Sequence, residues 1–339
     1  MRTAAIVLAV SIALAVTGGC SQRKTDSQNK VQVVATLFAL ADMAKQIGGD
    51  RVAVTALLPA GQSPHSYTAT PETVGTISQA RLLILAGMGI DDWALAAARR
   101  GTARGTRILV LTETAEFRQH AASQAQAPTQ TTQQAHQPPA VSQVHGEAAH
   151  DHADHDADEH GHHHHGAGLA DDPHVWLDLV LMQGFTQAIA DELCAVDPAG
   201  SDTYRRNAQA YIAQLQQLDQ EYSARLAKVK SRTFITFHPA FARIAARYNL
   251  HELSLHDVDA GGFGPAQREL VLSEIRQNNI KAIFAEPDAP MDKVQALTAG
   301  SDAHVAVLDP LEYGASQGYD TYLSAMRRNL DVLVEGLEK

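Results

Sequence analysis

Residues 201–230 contain neither Gly nor Pro. Within them Tyr204, Ala208, Tyr211, Ile212, Leu215, Leu218, Tyr222 and Leu226 recur at steps of mostly three and four, the period of one apolar face on an α-helix. At 1.5 Å per residue such a helix would run about 45 Å, comparable to a whole domain. That length suits a rigid spine between two lobes. A chain of 339 residues can supply two lobes, each with its own buried core.

The segments on either side carry an α/β rhythm. Residues 31–37, 52–58, 82–86 and 108–111 read as short buried strands, and 38–47 as a helix closed by Gly48-Gly49. Thr70-Pro71-Glu72 opens another helix, with Thr70 as N-cap and Pro71 at the first helical position. Residues 175–193 carry a helical apolar pattern. Beyond the spine, strands are expected at 233–237, 281–285 and 305–308, and helices at 239–248, 265–277, 291–299 and 319–336. Strands alternating with helices imply mostly parallel sheets flanked by helices. The division expected is a first lobe over 31–200, a linking helix over 201–230 and a second lobe over 231–339.

Residues 116–169 break the rhythm. Gln, Ala, Thr and Pro dominate first, then His, Asp and Glu, ending in His162-His163-His164-His165. With almost no large apolar side chain to bury, this stretch is expected to be a disordered insertion in the first lobe. Its His150, His152, His155, His160, His162, His163, His164 and His165 form a second, weaker group of metal-binding candidates. Ordering a flexible segment costs entropy, so each of its sites should be weaker than a preformed one.

The first residues read as an export signal. Arg2 precedes an apolar run over 4–16 broken only by Ser11, and Thr17-Gly18-Gly19-Cys20 follows. Residues 1–20 are therefore expected to be a signal peptide with a lipobox-like end, and no later stretch reads as long and apolar enough to span a membrane. Thr17 stands where Leu is usual. Lipidation at Cys20 is the favoured reading, simple cleavage the alternative, and residues 21–30 then form a tether. Cys194 sits in an apolar pattern and reads as a buried thiol. A net charge of −11 argues against a nucleic-acid partner.

His65, His174 and His238 each have proline as an immediate neighbour and stand just beyond strands or at helix starts. Proline stiffens the backbone that aims each ring. Asp309 follows the strand expected at 305–308 and makes a fourth candidate, with the alternative that it caps the following turn and water completes the site. In open α/β sheets ligands gather at the carboxyl ends of strands.

Ser63-Pro64-His65-Ser66-Tyr67, Asp172-Pro173-His174-Val175-Trp176-Leu177-Asp178, Thr236-Phe237-His238-Pro239-Ala240-Phe241, Ile283-Phe284-Ala285-Glu286-Pro287 and Leu308-Asp309-Pro310-Leu311 occur in that order. Together they resemble the metal-specific solute-binding proteins of ABC importers, especially the zinc-binding ZnuA-like branch with its TroA-like helical-backbone fold. The resemblance spans essentially the whole chain after the signal. It implies two α/β lobes joined by one long helix, Zn²⁺ held in the cleft by His65, His174, His238 and Asp309, and a permease of a zinc ABC importer as partner. With the export signal and the lipobox-like end, the expectation is a monomer in the periplasm or cell envelope, attached to the membrane only through a lipid at Cys20. Two departures stand out. Glu312 replaces the Gly common after Asp-Pro-Leu, and Asp259-Ala260-Gly261-Gly262-Phe263-Gly264 differs from the usual acidic linker. Both are expected to reshape the rim of the cleft and leave the histidines untouched.

Three imidazoles and a carboxylate suit four-coordinate Zn²⁺, whereas manganese favours more oxygen. The manganese branch that the family also contains commonly carries Glu where this chain has His238. Ligand type alone does not exclude Cu²⁺ or Ni²⁺. A zinc hydrolase and a metal-binding adhesin or chaperone on the same fold are the rival readings. His251-Glu252-Leu253-Ser254-Leu255-His256 has one residue too many for a His-Glu-x-x-His zinc helix. Glu286 as a general base competes with a plain Glu-Pro turn, and no nucleophile is evident. Gly87-x-Gly89 alone is no phosphate loop. The expectation is a binding protein rather than an enzyme.

Overall fold

The computed structural model describes residues 30–101, 105–125, 169–255, 264–313 and 319–338. The first lobe is built on β1 (Val31–Ala35), β2 (Val52–Ala56), β3 (Leu82–Leu85) and β4 (Arg107–Val110), in the order β2-β1-β3-β4. Its helices are α1 (Phe38–Gly48), α2 (Pro71–Ser78), α3 (Asp92–Gly101), α4 (Ala115–Ala125) and α5 (Leu179–Val196). The long helix α6 (Ser201–Leu226) follows. The second lobe contains β5 (Thr233–Thr236), α7 (Ala242–Arg247), β6 (His251–Ser254), α8 (Pro265–Gln277), β7 (Ala282–Ala285), α9 (Met291–Thr298), β8 (His304–Val307) and α10 (Tyr322–Leu337). Its sheet repeats the first, in the order β6-β5-β7-β8. Every pairing is parallel. The inner strands Leu82–Leu85 and Ala282–Ala285 are buried throughout, as parallel strands covered on both faces must be.

Local chemistry sets the element ends. Thr70 and Thr73 form the reciprocal cap that starts α2. The helix expected from residue 175 begins later. Val175–Leu177 form a single tight 3-10 turn, and Asp178 then caps α5 through Val180 N and Leu181 N. The spine stops at Leu226 rather than residue 230, because the Arg232 guanidinium donates to the free carbonyls of Leu226 and Ala227. The helix expected over 239–248 narrows to Ala242–Arg247, since Phe241 N donates to Glu252 instead.

Two expectations need correction. Residues 116–125, assigned to the disordered insertion, are helical in α4. Phe117 packs against the core, Thr114 Oγ1 accepts from Phe117 N, and His120 Nε2 lies 3.0 Å from Asp178 Oδ2, so a polar sequence is held by three anchors. By length and composition α5 is apolar enough to cross a membrane, contrary to the reading that no later segment is, but half of it is buried against its neighbours as a core helix. The weaker metal candidates between His150 and His165, Cys20, the signal and most of the tether lie outside the described residues.

The largest apolar core belongs to neither lobe alone. It runs from Val33 and Leu40 through Trp176, Tyr211 and Tyr222 to Phe234, Phe284, Tyr322 and Leu330. Smaller cores lie under the outer faces, around Ile77 and Leu83 in the first lobe and Val271 and Ile283 in the second. Polar bonds reinforce the shared core. Tyr222 OH donates to Met326 O, Tyr322 OH to Trp176 O, Trp176 Nε1 to Pro310 O, and Tyr322 N to Asp42 Oδ2. The result is two lobes welded along α6 and α10, with a cleft at the carboxyl ends of the strands.

Candidate metal centre

Four side chains converge in that cleft. His65 rides on the loop after β2, His174 on the tight turn before α5, His238 on the loop after β5, and Glu312 on the segment after β8. One donor atom from each lies within 4.8 Å of the others. Glu312 Oε1 is 2.7 Å from His174 Nε2, 3.4 Å from His65 Nε2 and 4.0 Å from His238 Nδ1. The three ring centroids stand 5.0 to 5.6 Å apart. Four ligands on a tetrahedral ion with bonds near 2.0–2.1 Å lie about 3.3 Å from one another, so small rotamer shifts would complete such a shell. Exposure is graded: His65 is 41% exposed, Glu312 fully buried. A cation entering the cleft meets His65 first.

The donor set fits a divalent cation. His174 Nε2 and both Glu312 carboxylate oxygens are buried without a directed hydrogen bond, despite the short approach between them. Buried polar atoms are almost always satisfied, and a metal would satisfy all three at once. Asp172 Oδ1 sits 2.7 Å from His174 Nδ1 and accepts from the His174 backbone N–H. That contact turns the other ring nitrogen toward the centre. Burial works against a charged His174, but the Asp172 and Glu312 carboxylates beside the ring outweigh it and raise it to about 9. Burial alone would raise Glu312, yet His174 and His65 hold it well below the usual carboxylate range.

Asp309, expected as the fourth ligand, does other work here. Its Oδ1 accepts from Leu311 N at 2.7 Å, and its backbone is clamped by Asn329, which accepts from Asp309 N and donates to Asp309 O. Leu311 is held left-handed at φ 59° within that turn. A non-glycine residue there costs on the order of 1–2 kcal/mol, offset by burying its side chain. The turn swings the next residue, Glu312, into the centre. The departure expected to touch only the rim therefore places a carboxylate beside the three histidines, the fourth donor of the cluster. A signal existed in the sequence: an Asp commonly bonds the backbone two residues on, which marks Asp309 as the turn former.

Glu286 stands just outside the four. Its Oε1 lies 3.2 Å from His238 Nδ1, and its Oε2 accepts from Tyr313 OH. Tyr313 O in turn accepts from Gly61 N, a backbone bond that closes the cleft beside the His65 loop. His251 opens β6, where strand geometry replaces the helix a His-Glu-x-x-His site needs. Gly87 and Gly89 belong to a turn after β3, in which the amides of Ala86 and Gly87 donate to the buried Asp91 carboxylate.

The sequence model of the family described as zinc-uptake complex component A, periplasmic, matches residues 33–336. A zinc-binding lipoprotein, AdcA of Streptococcus pneumoniae, is 27% identical over 98% of this chain, which spans only 60% of that relative's length. A manganese ABC transporter substrate-binding lipoprotein, PsaA of the same species, is 26% identical over the full length of both. The solved Zn(II)-bound ZnuA-like domain of S. pneumoniae AdcA shares the fold, with a TM-score of 0.67 at 24% identity over 91% of this chain and all of that one.

Proposed function

The chain belongs to the zinc-uptake complex component A family, and from that premise we propose that it captures Zn²⁺ outside the cytoplasm and delivers it to the membrane permease of an ABC importer. His65, His174, His238 and Glu312 are the ligands in this reading. The observation that carries it is their convergence, with donor atoms of all four within 4.8 Å and the unsatisfied ones buried.

Zn²⁺ is the cargo. Three imidazoles and one carboxylate form a compact four-donor shell with little room for the additional oxygens that Mn²⁺ prefers. Capture begins at His65, the most exposed donor. Displacement of the His174 proton and rotation of His238 away from Glu286 then complete the shell. Because the lobes share a core, cleft motion on capture is small and release depends on the permease. Export, a lipid at Cys20 and a monomeric state belong to the same proposal, as does a weaker, accessory zinc-binding role for the histidines between His150 and His165. The relatives' names support a metal-importing system but divide between zinc and manganese.

The test is competition of Zn²⁺ and Mn²⁺ against a fluorescent chelator, using the chain without residues 1–20. One tight zinc site is expected, with manganese at least about 100-fold weaker. Glu312→Gln should weaken zinc about 10- to 100-fold, while Asp309→Asn should chiefly lower thermal stability. Tighter manganese than zinc binding, or full zinc affinity in Glu312→Gln, contradicts the assignment.

A further inference from the structure

Arg243 is 4% exposed, an unusual place for a guanidinium. It belongs to α7 of the second lobe, yet its Nη2 donates to the carbonyls of Leu169 and Asp172 in the first. Its Nε faces Asp172 Oδ2 at 3.4 Å. The two oxygens of Asp172 thus divide their work. Oδ1 takes His174, and Oδ2 faces the arginine. The same chain segment presents His238, five residues before Arg243. One short stretch therefore holds a metal donor directly and reaches across the lobe boundary to the carboxylate that orients another.

We propose that Arg243 is a positioning residue for metal capture. It locks Asp172, and through Asp172 the ring of His174, at a set separation from His238 on the opposite lobe. The proposal rests on the three-histidine reading of the cleft. Nη2 holds two carbonyls while Nε faces a carboxylate as an ion pair, a spread over two nitrogens that a single lysine nitrogen does not offer. Burying a cation costs free energy unless such partners surround it, so a role limited to filling space would be met more cheaply by an apolar side chain.

The experiment uses the chain without residues 1–20, with Zn²⁺ in chelator competition and Co²⁺ as a spectroscopic substitute. Visible Co²⁺ bands are intense in tetrahedral sites and weak in six-coordinate ones. Arg243→Met should weaken zinc about 10- to 100-fold, the usual effect of losing an outer partner of a metal-bound histidine, and should diminish the Co²⁺ bands. Arg243→Lys should restore part of both. A folded Arg243→Met protein with wild-type zinc affinity and Co²⁺ spectrum overturns the proposal. Should Arg243→Met fail to fold, Arg243→Lys decides: weakened zinc binding with diminished Co²⁺ bands supports the tie, and unchanged binding and spectrum overturn it. His174→Ala, run alongside, separates the two readings. Wild-type zinc binding by that variant would sink the site itself, whereas loss there with full binding by Arg243→Met sinks only the role of the arginine.

Discussion

Between Asp172 and Glu312, the His174 ring of the metal-free protein holds a proton to about pH 9. Zinc needs the Nε2 lone pair, so below that pH each captured ion must expel this proton. Lowering the pH from 9 toward 6 should weaken binding about tenfold per unit, from this ring alone. The ordinary histidine value near 6.5 would have confined the effect to mildly acidic conditions. Calorimetry at pH 7.5 in buffers of different ionisation enthalpy should register release of about one proton per zinc. Binding that is independent of pH between 6 and 8 would contradict the arrangement. Glu312 and Asp309 show how closely residue roles can be mistaken: three positions apart, both buried, one shapes the turn and the other faces the histidines.

The elements around the cleft are held by buried polar side chains. Glu252 on β6 accepts from Thr236 Oγ1 and from Phe241 N, and so braces the loop that carries His238. Burial raises its carboxyl from 4.5 to about 7, more than these two hydrogen bonds lower it. The folded protein therefore holds this proton where the unfolded chain does not. The group destabilises the fold fully above pH 7, partly between 4.5 and 7, and not at all below. Glu252→Gln keeps an acceptor for both donors without the charge. It should raise the melting temperature at pH 8, by an amount corresponding to about 1–2 kcal/mol, and have little effect at pH 4.5. Equal shifts at both pH values would remove titration as the cause. The helix α4 makes a related point: composition marked residues 116–125 as unfit to fold, yet Phe117 and the His120–Asp178 contact hold them.

At the scale of the molecule, the shared core around α6 and α10 resists hinge opening. Small-angle scattering curves of metal-free and zinc-loaded protein should superimpose at low angle; a clear compaction on loading would point to a hinged cleft. The placement of α4 also defines where the histidine-rich stretch can be removed. Deleting residues 127–168 leaves His120 and its partner in place. That variant should keep one tight zinc site and lose the weaker ones. Loss of the tight site would move the metal function out of the cleft.

Period and motif order determined the α/β alternation, the long helix and the three proline-flanked histidines that meet at the centre, because these depend on spacing along the chain. Parallel sheets follow from alternation, and strand ends follow from the sheets. The fourth ligand was a different matter. Asp309 and Glu312 differ only in which way a buried left-handed residue between them turns the backbone, and that turn is held by Asn329, twenty positions away on α10. The proton on His174 likewise depends on Glu312 arriving from the other lobe. Arg243 found its carbonyl partners only when the lobes packed. Contacts between segments distant in sequence have no local periodicity, so only the folded chain could decide them.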